Sequence, residues 1–182
     1  MPFLKTPISG LLIFEPKVFS DDRGYFYESY NQQTFAEHDA SYNWVQDNQA
    51  QSSKGVLRGL HYQCADKAQA KLVRVLLGSV QDVAVDLRTS SPTYGQSYSI
   101  ELTARNHRQL LVPRGFAHGY LVLEDETIFC YKCDNVYSKK DEGGLHFSDP
   151  QLNISWALPM HELLLSEKDR DLPNFGKHLP AD

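Results

Sequence analysis

Lys71-Leu-Val-Arg-Val-Leu-Leu-Gly-Ser-Val-Gln-Asp-Val-Ala-Val-Asp-Leu-Arg88 holds two β-branched runs separated by Gly78-Ser79. That spacing predicts two strands joined as a hairpin. In the second run Val83, Val85 and Leu87 alternate with Asp82, Ala84 and Asp86, so the strand has two chemically distinct sides. Strands are also predicted over 11–19, 24–30, 43–48, 55–63, 97–103, 108–112, 118–123 and 127–137. Turn formers at Asp21-Asp22-Arg23-Gly24, Ser91-Pro92 and Gly143-Gly144 separate them. Helical pattern is scarce: Asn31 is placed to cap a short helix reaching about Glu37, and one more turn is predicted at 161–165. Many short strands with turns between them predict an all-β barrel or sandwich with short peripheral helices.

The chain has 182 residues, 41% of them apolar and 23% charged, which suits one domain over 1–182 with one sizeable core. Eighteen Lys and Arg against 23 Asp and Glu give a formal net charge of −5. This argues against general binding of nucleic acid or of anionic membranes, which needs clustered positive charge. The first residues, Met-Pro-Phe-Leu-Lys-Thr-Pro, lack the pattern of a signal peptide, and no stretch approaches the roughly 20 apolar residues of a membrane span. With three cysteines, an odd number, the expectation is a cytoplasmic protein.

Polar residues that interrupt strands mark candidate chemistry. Lys71 is in register with Val73, Val75 and Leu77, so its ammonium either snorkels at the strand end or shares a face that lines an interior. His61 lies in Gly55-Val-Leu-Arg-Gly-Leu-His-Tyr-Gln63. On a flat strand Arg58, three residues away, points to the other face, unless Gly59 supplies a bulge. Cys130-x-x-Cys133 lacks a second pair at zinc spacing, and strand residues three apart diverge, so both cysteines are read as packing. Tyr131 and Tyr137 are six apart and share a side if the strand continues between them.

Pro113-Arg-Gly-Phe-Ala-His118 resembles the second motif of the cupin superfamily, which delivers a histidine into a small jelly-roll barrel. The first motif would need a His-x-His pair, and His61-Tyr62-Gln63 supplies one histidine. Two obvious ligands fall short of the three typical of catalytic zinc sites.

Further segments extend this to an ordered resemblance to the dTDP-4-dehydrorhamnose 3,5-epimerases, the RmlC family of cupins. They are Phe14-Glu-Pro-Lys-Val-Phe, Asp22-Arg-Gly-Tyr-Phe-Tyr-Glu-Ser, Val45-Gln-Asp-Asn, Leu57-Arg-Gly-Leu-His-Tyr-Gln, Lys71-Leu-Val-Arg, the run from Asp82 to Gly95, Val112-Pro-Arg-Gly-Phe-Ala-His-Gly and Leu165-Ser-Glu-Lys-Asp. The resemblance implies a cupin jelly roll without metal or other cofactor, working as a homodimer on a dTDP-linked 4-keto sugar. Protons at C3 and C5 are α to the C4 carbonyl. Inverting either centre needs a base, an acid on the opposite side and a positive group near the enolate oxygen.

The resemblance assigns His61 as base, Tyr131 as acid, Lys71 as enolate stabiliser and Asp169 as the carboxylate orienting His61; on strand geometry, Asp82 is the fallback for that last role. It assigns substrate binding to Arg23, Glu28, Gln46, Asp47, Asn48, Arg58, His118, Tyr137, Glu142 and Lys168, with Tyr137 stacking on thymine. Arg23, Arg58, Lys71 and Lys168 then form a local basic cluster for a diphosphate within an acidic chain. One departure is the tail, where Ile154-Ser-Trp-Ala-Leu-Pro delays a proline that the family usually places directly after the tryptophan. The alternatives are a C5-only or C3-only epimerase or a 3,4-ketoisomerase on the same scaffold, a metal-dependent cupin, and a non-catalytic sugar-binding module.

Overall fold

The two apolar runs of 71–88 are strands, yet they do not pair with each other. The structure, a computed structural model, describes residues 2–38 and 40–181. Its strands are β1 (Phe3–Lys5), β2 (Leu12–Phe14), β3 (Phe19–Asp21), β4 (Gly24–Phe26), β5 (Gln46–Ser52), β6 (Leu57–Gln63), β7 (Lys71–Leu77), β8 (Ser79–Asp86), β9 (Ser97–Thr103), β10 (Gln109–Val112), β11 (Phe116–Val122), β12 (Thr127–Cys133) and β13 (Glu142–Gly144). Two short helices, α1 (Gln32–Ala36) and α2 (Glu167–Arg170), lie among them. One sheet has the order β1-β2-β10-β7-β12-β5 and the other β13-β6-β11-β8-β9, while β3 and β4 form a separate ribbon.

From β5 to β8 and again from β10 to β13, successive strands alternate between the two sheets, which is the jelly-roll arrangement. The expected hairpin fails because only Gly78 separates β7 from β8, too little chain for a two-residue reversal. With φ of +79°, Gly78 instead turns a corner from one sheet to the other. The second run is buried on both faces, and the first buries Leu72, Val73 and Val75 before ending on exposed Leu76 and Leu77. Val73 and Val75 point into the barrel beside Ala84, Leu110 and Phe129, whereas Leu72 points outward into a cluster with Phe14, Phe35 and Leu111. Val83, Val85 and Leu87 lie under Leu152, Phe175 and Ala181 of the C-terminal tail. Burial of such side chains contributes about 1.5–3 kcal/mol each.

Other boundaries move for local reasons. The run predicted over 11–19 breaks after Phe14 and resumes at Phe19, since Pro16 offers no N–H to a ladder. The strand expected at 43–48 runs from Gln46 to Ser52, and the one expected to 137 stops at Cys133. Gly143-Gly144, read as a turn, pairs with β6 as part of β13. The helix after Asn31 forms as expected, with Asn31 Oδ1 accepting from the Gln33 and Thr34 amides. The turn at 161–165 is a short 3₁₀ segment, Met160–Glu162.

Candidate active site

A cavity of about 640 Å³ opens between the sheets, lined by Asn48, Arg58, His61, Lys71, His118, Tyr120, Phe129, Tyr131, Lys168 and Asp169. An adjoining cavity of about 280 Å³ shares Asn48, His61, Lys71 and Tyr131 and adds Gln46, Cys133, Tyr137 and Glu142. The β6–β11 ladder explains how Arg58 and His61 reach the same space. His61 pairs with His118 and Arg58 with Tyr120, so two residues of β6 oppose one of β11, which makes a bulge. Gly59 sits there with φ of +121°, and a Cβ on it would meet Gly119 Cα at 2.6 Å. The extra residue reverses the alternation between Arg58 and His61.

His61 Nε2 lies 2.6 Å from Asp169 Oδ1. A carboxylate only accepts, so Nε2 carries the proton and Nδ1 is the basic nitrogen. Asp169 comes from α2, which Ser166 caps by accepting from the Asp169 amide. Burial pushes the Asp169 carboxyl up, but hydrogen bonds from His61, Ser166 and the Gly59 amide outweigh it and hold the group below its ordinary value. Asp82, the fallback partner of His61, is engaged elsewhere: its oxygens lie 2.9 and 3.0 Å from His118 Nε2.

Tyr131 and Lys71 approach from the other sheet. Lys71 Nζ lies 6.0 Å from the Tyr131 ring centroid, and Lys71 pairs in register with Cys133. Among the described residues Lys71 has no ion-pair partner, and burial pushes its pKa down against opposing influences from Cys133, Asp82 and Glu142. Burial raises the Tyr131 pKa, reinforced by Cys133, so the phenol stays protonated at neutral pH. Burial also raises Cys133 to about 11, against the pull of Lys71. Cys130 faces the other way, bonded to Gln49, and among the described residues no group of three or more His, Cys, Asp or Glu is arranged to hold a metal.

At the mouth, Lys168 Nζ lies 2.5 Å from Glu142 Oε2, to which the Tyr137 hydroxyl also donates at 3.0 Å. Burial raises the Glu142 pKa, but Lys168 and Tyr137 outweigh it and bring it below the ordinary value. Gln46 accepts from the Tyr137 amide and donates to Asn48. Tyr137 thus reaches the same cavity system as Tyr131 through the loop after β12, rather than along one strand. Arg58 donates to Ser52 and has no carboxylate partner among the described residues, which suits it to an anion.

Three expected binding residues lie elsewhere. Arg23 is 89% exposed in the β3–β4 turn, bonded to Asp21. Glu28 accepts from Asn31, and Asp47 faces outward to pair with Lys132. Sequence reasoning missed Tyr120 and Phe129, whose rings stack at 3.9 Å. Each is two residues from an expected site residue on its own strand, His118 and Tyr131, so the strand period carried the signal.

The dTDP-4-dehydrorhamnose 3,5-epimerase family model matches residues 5–177. A Shigella flexneri dTDP-4-dehydrorhamnose 3,5-epimerase is 54% identical over 183 residues, covering 100% of this chain and 98% of the relative. The crystal structure of the Elizabethkingia anophelis enzyme of that name superposes with a TM-score of 0.93 at 52% identity, covering 96% of each chain. The Legionella pneumophila dTDP-6-deoxy-D-glucose-3,5-epimerase RmlC, solved in complex with dTDP-4-keto-L-rhamnose, gives 0.92 at 45% identity over 96% of this chain and 93% of that one. These matches span the β6, β7, β12 and α2 segments that build the cavity, and the chain belongs to the dTDP-4-dehydrorhamnose 3,5-epimerase family.

Proposed function

We propose that this chain epimerises dTDP-4-dehydro-6-deoxy-D-glucose at C3 and C5, giving dTDP-4-dehydro-L-rhamnose in dTDP-L-rhamnose biosynthesis. The observation that carries the reading is the opposition of His61, backed by Asp169 on one wall, to Tyr131 and Lys71 on the other. His61 Nδ1 takes the proton α to the C4 carbonyl, and the electron pair moves onto the carbonyl oxygen as an enolate. Lys71 stabilises that charge in a partly desolvated setting. The Tyr131 hydroxyl then delivers a proton to the opposite face of the same carbon, inverting it. Proton exchange with water restores a neutral His61 and a protonated Tyr131 before the second centre reacts.

Arg58 and Lys168 supply positive charge for the diphosphate, and Gln46, Asn48, Tyr137 and Glu142 form the neighbouring nucleotide pocket, with His118 contacting the sugar. Base, acid and cation are all side chains, so the reaction proceeds without metal or redox cofactor. The unit is one domain over 1–182 and acts as a homodimer in the cytoplasm. The exposed aromatic ribbon of Phe19, Tyr25 and Phe26 supports the dimer as a surface for the second copy to cover. In that dimer Arg23, Glu28 and Asp47, which lie outside the cavity of their own chain, contribute to substrate binding at the interface.

Incubation with the sugar nucleotide in deuterium oxide, read by mass and NMR, tests the reaction: deuterium at both C3 and C5 is expected. Label at one carbon alone would replace it with a mono-functional epimerase. Light scattering that returned a monomer would remove the dimer.

A further inference from the structure

Asp82 has no place in the scheme above. It lies on β8 with 0% exposure, and both carboxylate oxygens address one group, Nε2 of His118, at 2.9 and 3.0 Å. Among the described residues no other hydrogen bond reaches that carboxylate. His118 stands opposite His61 in the β6–β11 ladder, so one wall of the cavity carries two histidines, each backed by its own carboxylate. The Phe129 ring lies nearly parallel to His118, 20° between planes and 6.3 Å between centroids, and limits how the imidazole turns. Because the carboxylate accepts, Nε2 holds the proton; Nδ1 has no protein partner among the described residues, and the ring lines the cavity.

We propose that Asp82 is a positioning residue: it locks His118 as the Nε2-protonated tautomer, so that Nδ1 accepts a hydrogen bond from a hydroxyl of the bound hexose and orients the ring toward His61. This deepens the epimerase reading and rests on it. A neutral imidazole has one donor nitrogen and one acceptor nitrogen, and fixing the first by a buried carboxylate fixes the second. The contact concerns the hexose and leaves the nucleotide alone, which makes it separable by experiment.

The test combines ¹⁵N NMR of the imidazole rings with kinetics and calorimetry on wild type and Asp82→Leu, a near-isosteric change that removes the acceptor. Wild type should show His118 as a single tautomer protonated at Nε2, and the variant a mixture. The KM for the sugar nucleotide should rise roughly tenfold, the scale of one hydrogen bond to a positioned partner, with dTDP binding unchanged. Wild-type His118 protonated at Nδ1, or equal weakening of dTDP and sugar nucleotide, would overturn the proposal. Should Asp82→Leu fail to fold, His118→Gln keeps a donor toward Asp82 while losing Nδ1; it should show the same KM rise with a near-native Tm, and an unchanged KM would overturn the proposal. Wild-type protein that exchanged no substrate proton would sink the epimerase reading, while the tautomer measurement would still decide what Asp82 does.

Discussion

Asp169 follows His61 by 108 residues, yet its carboxylate lies 2.6 Å from the imidazole. That one contact fixes which ring nitrogen is basic. Asp169→Asn keeps the shape and removes the obligate acceptor, so kcat/KM should fall by about 10²–10⁴, the range for loss of an oriented general base, with little change in Tm. Wild-type turnover in this variant would remove Asp169 from the mechanism.

Tyr131 faces His61 from the opposite sheet, where the proposed reaction needs a proton donor. Tyr131→Phe should still exchange substrate hydrogen for deuterium through His61 but release little inverted product, because only one face is served. NMR of the sugar after incubation in deuterium oxide separates washout from inversion, and full inversion would refute the acid assignment.

Lys71 is half-buried, and desolvation lowers its pKa from 10.5. The ammonium is therefore lost as pH rises, earlier than for an exposed lysine. The kcat profile should fall on the alkaline side below pH 10.5. Lys71→Arg should flatten that limb, since guanidinium does not deprotonate in this range. Lys71→Gln should cost about 10²–10³ in kcat.

Gly59 holds the bulge that turns Arg58 and His61 to one side. A Cβ there meets Gly119 Cα at 2.6 Å and His118 O at 2.8 Å, with φ at +121°. Gly59→Ala should destabilise the fold by about 2–4 kcal/mol and depress activity by displacing His61. Thermal melting with an activity assay at permissive temperature checks both effects.

Asp86 is fully buried. Burial raises its pKa, yet hydrogen bonds from Arg88, Ser91 and Thr93 win and lower it from 3.8 to about 2. A depressed carboxyl stabilises the fold above its unfolded pKa and stops doing so as pH falls through its folded one. This contribution, roughly 2 kcal/mol, should be complete above about pH 4 and vanish towards pH 2. The Tm difference between wild type and Asp86→Asn should shrink over that window, and a constant gap would argue against the assignment.

Much of this was legible in the sequence. Strand alternation gave Lys71 its inward face, and the Gly at 59 marked the bulge that unites Arg58 with His61. The connection at Gly78 was not legible, because apolar runs look alike whether they join a hairpin or cross between sheets. The strand β5 was half hidden because Gln46-Asp-Asn-Gln-Ala-Gln-Ser is polar on both sides: one faces the cavity and the other faces outward. The four-residue α2 is too short for a periodic signal. The second carboxylate–histidine pair depends on a contact between strands that spacing does not encode, which is why the sequence offers Asp82 only as a fallback partner for His61.

The alternation of strands between sheets also orders events in time. Every strand that lines the cavity, β5, β6, β7, β11 and β12, pairs only with partners distant in the chain, so no local hairpin builds any part of the wall. Such long-range ladders form slowly. A nascent chain on the ribosome that has not yet released β11, β12 and α2 has neither facing wall nor the Asp169 carboxylate. During refolding, activity should therefore be the last property to return.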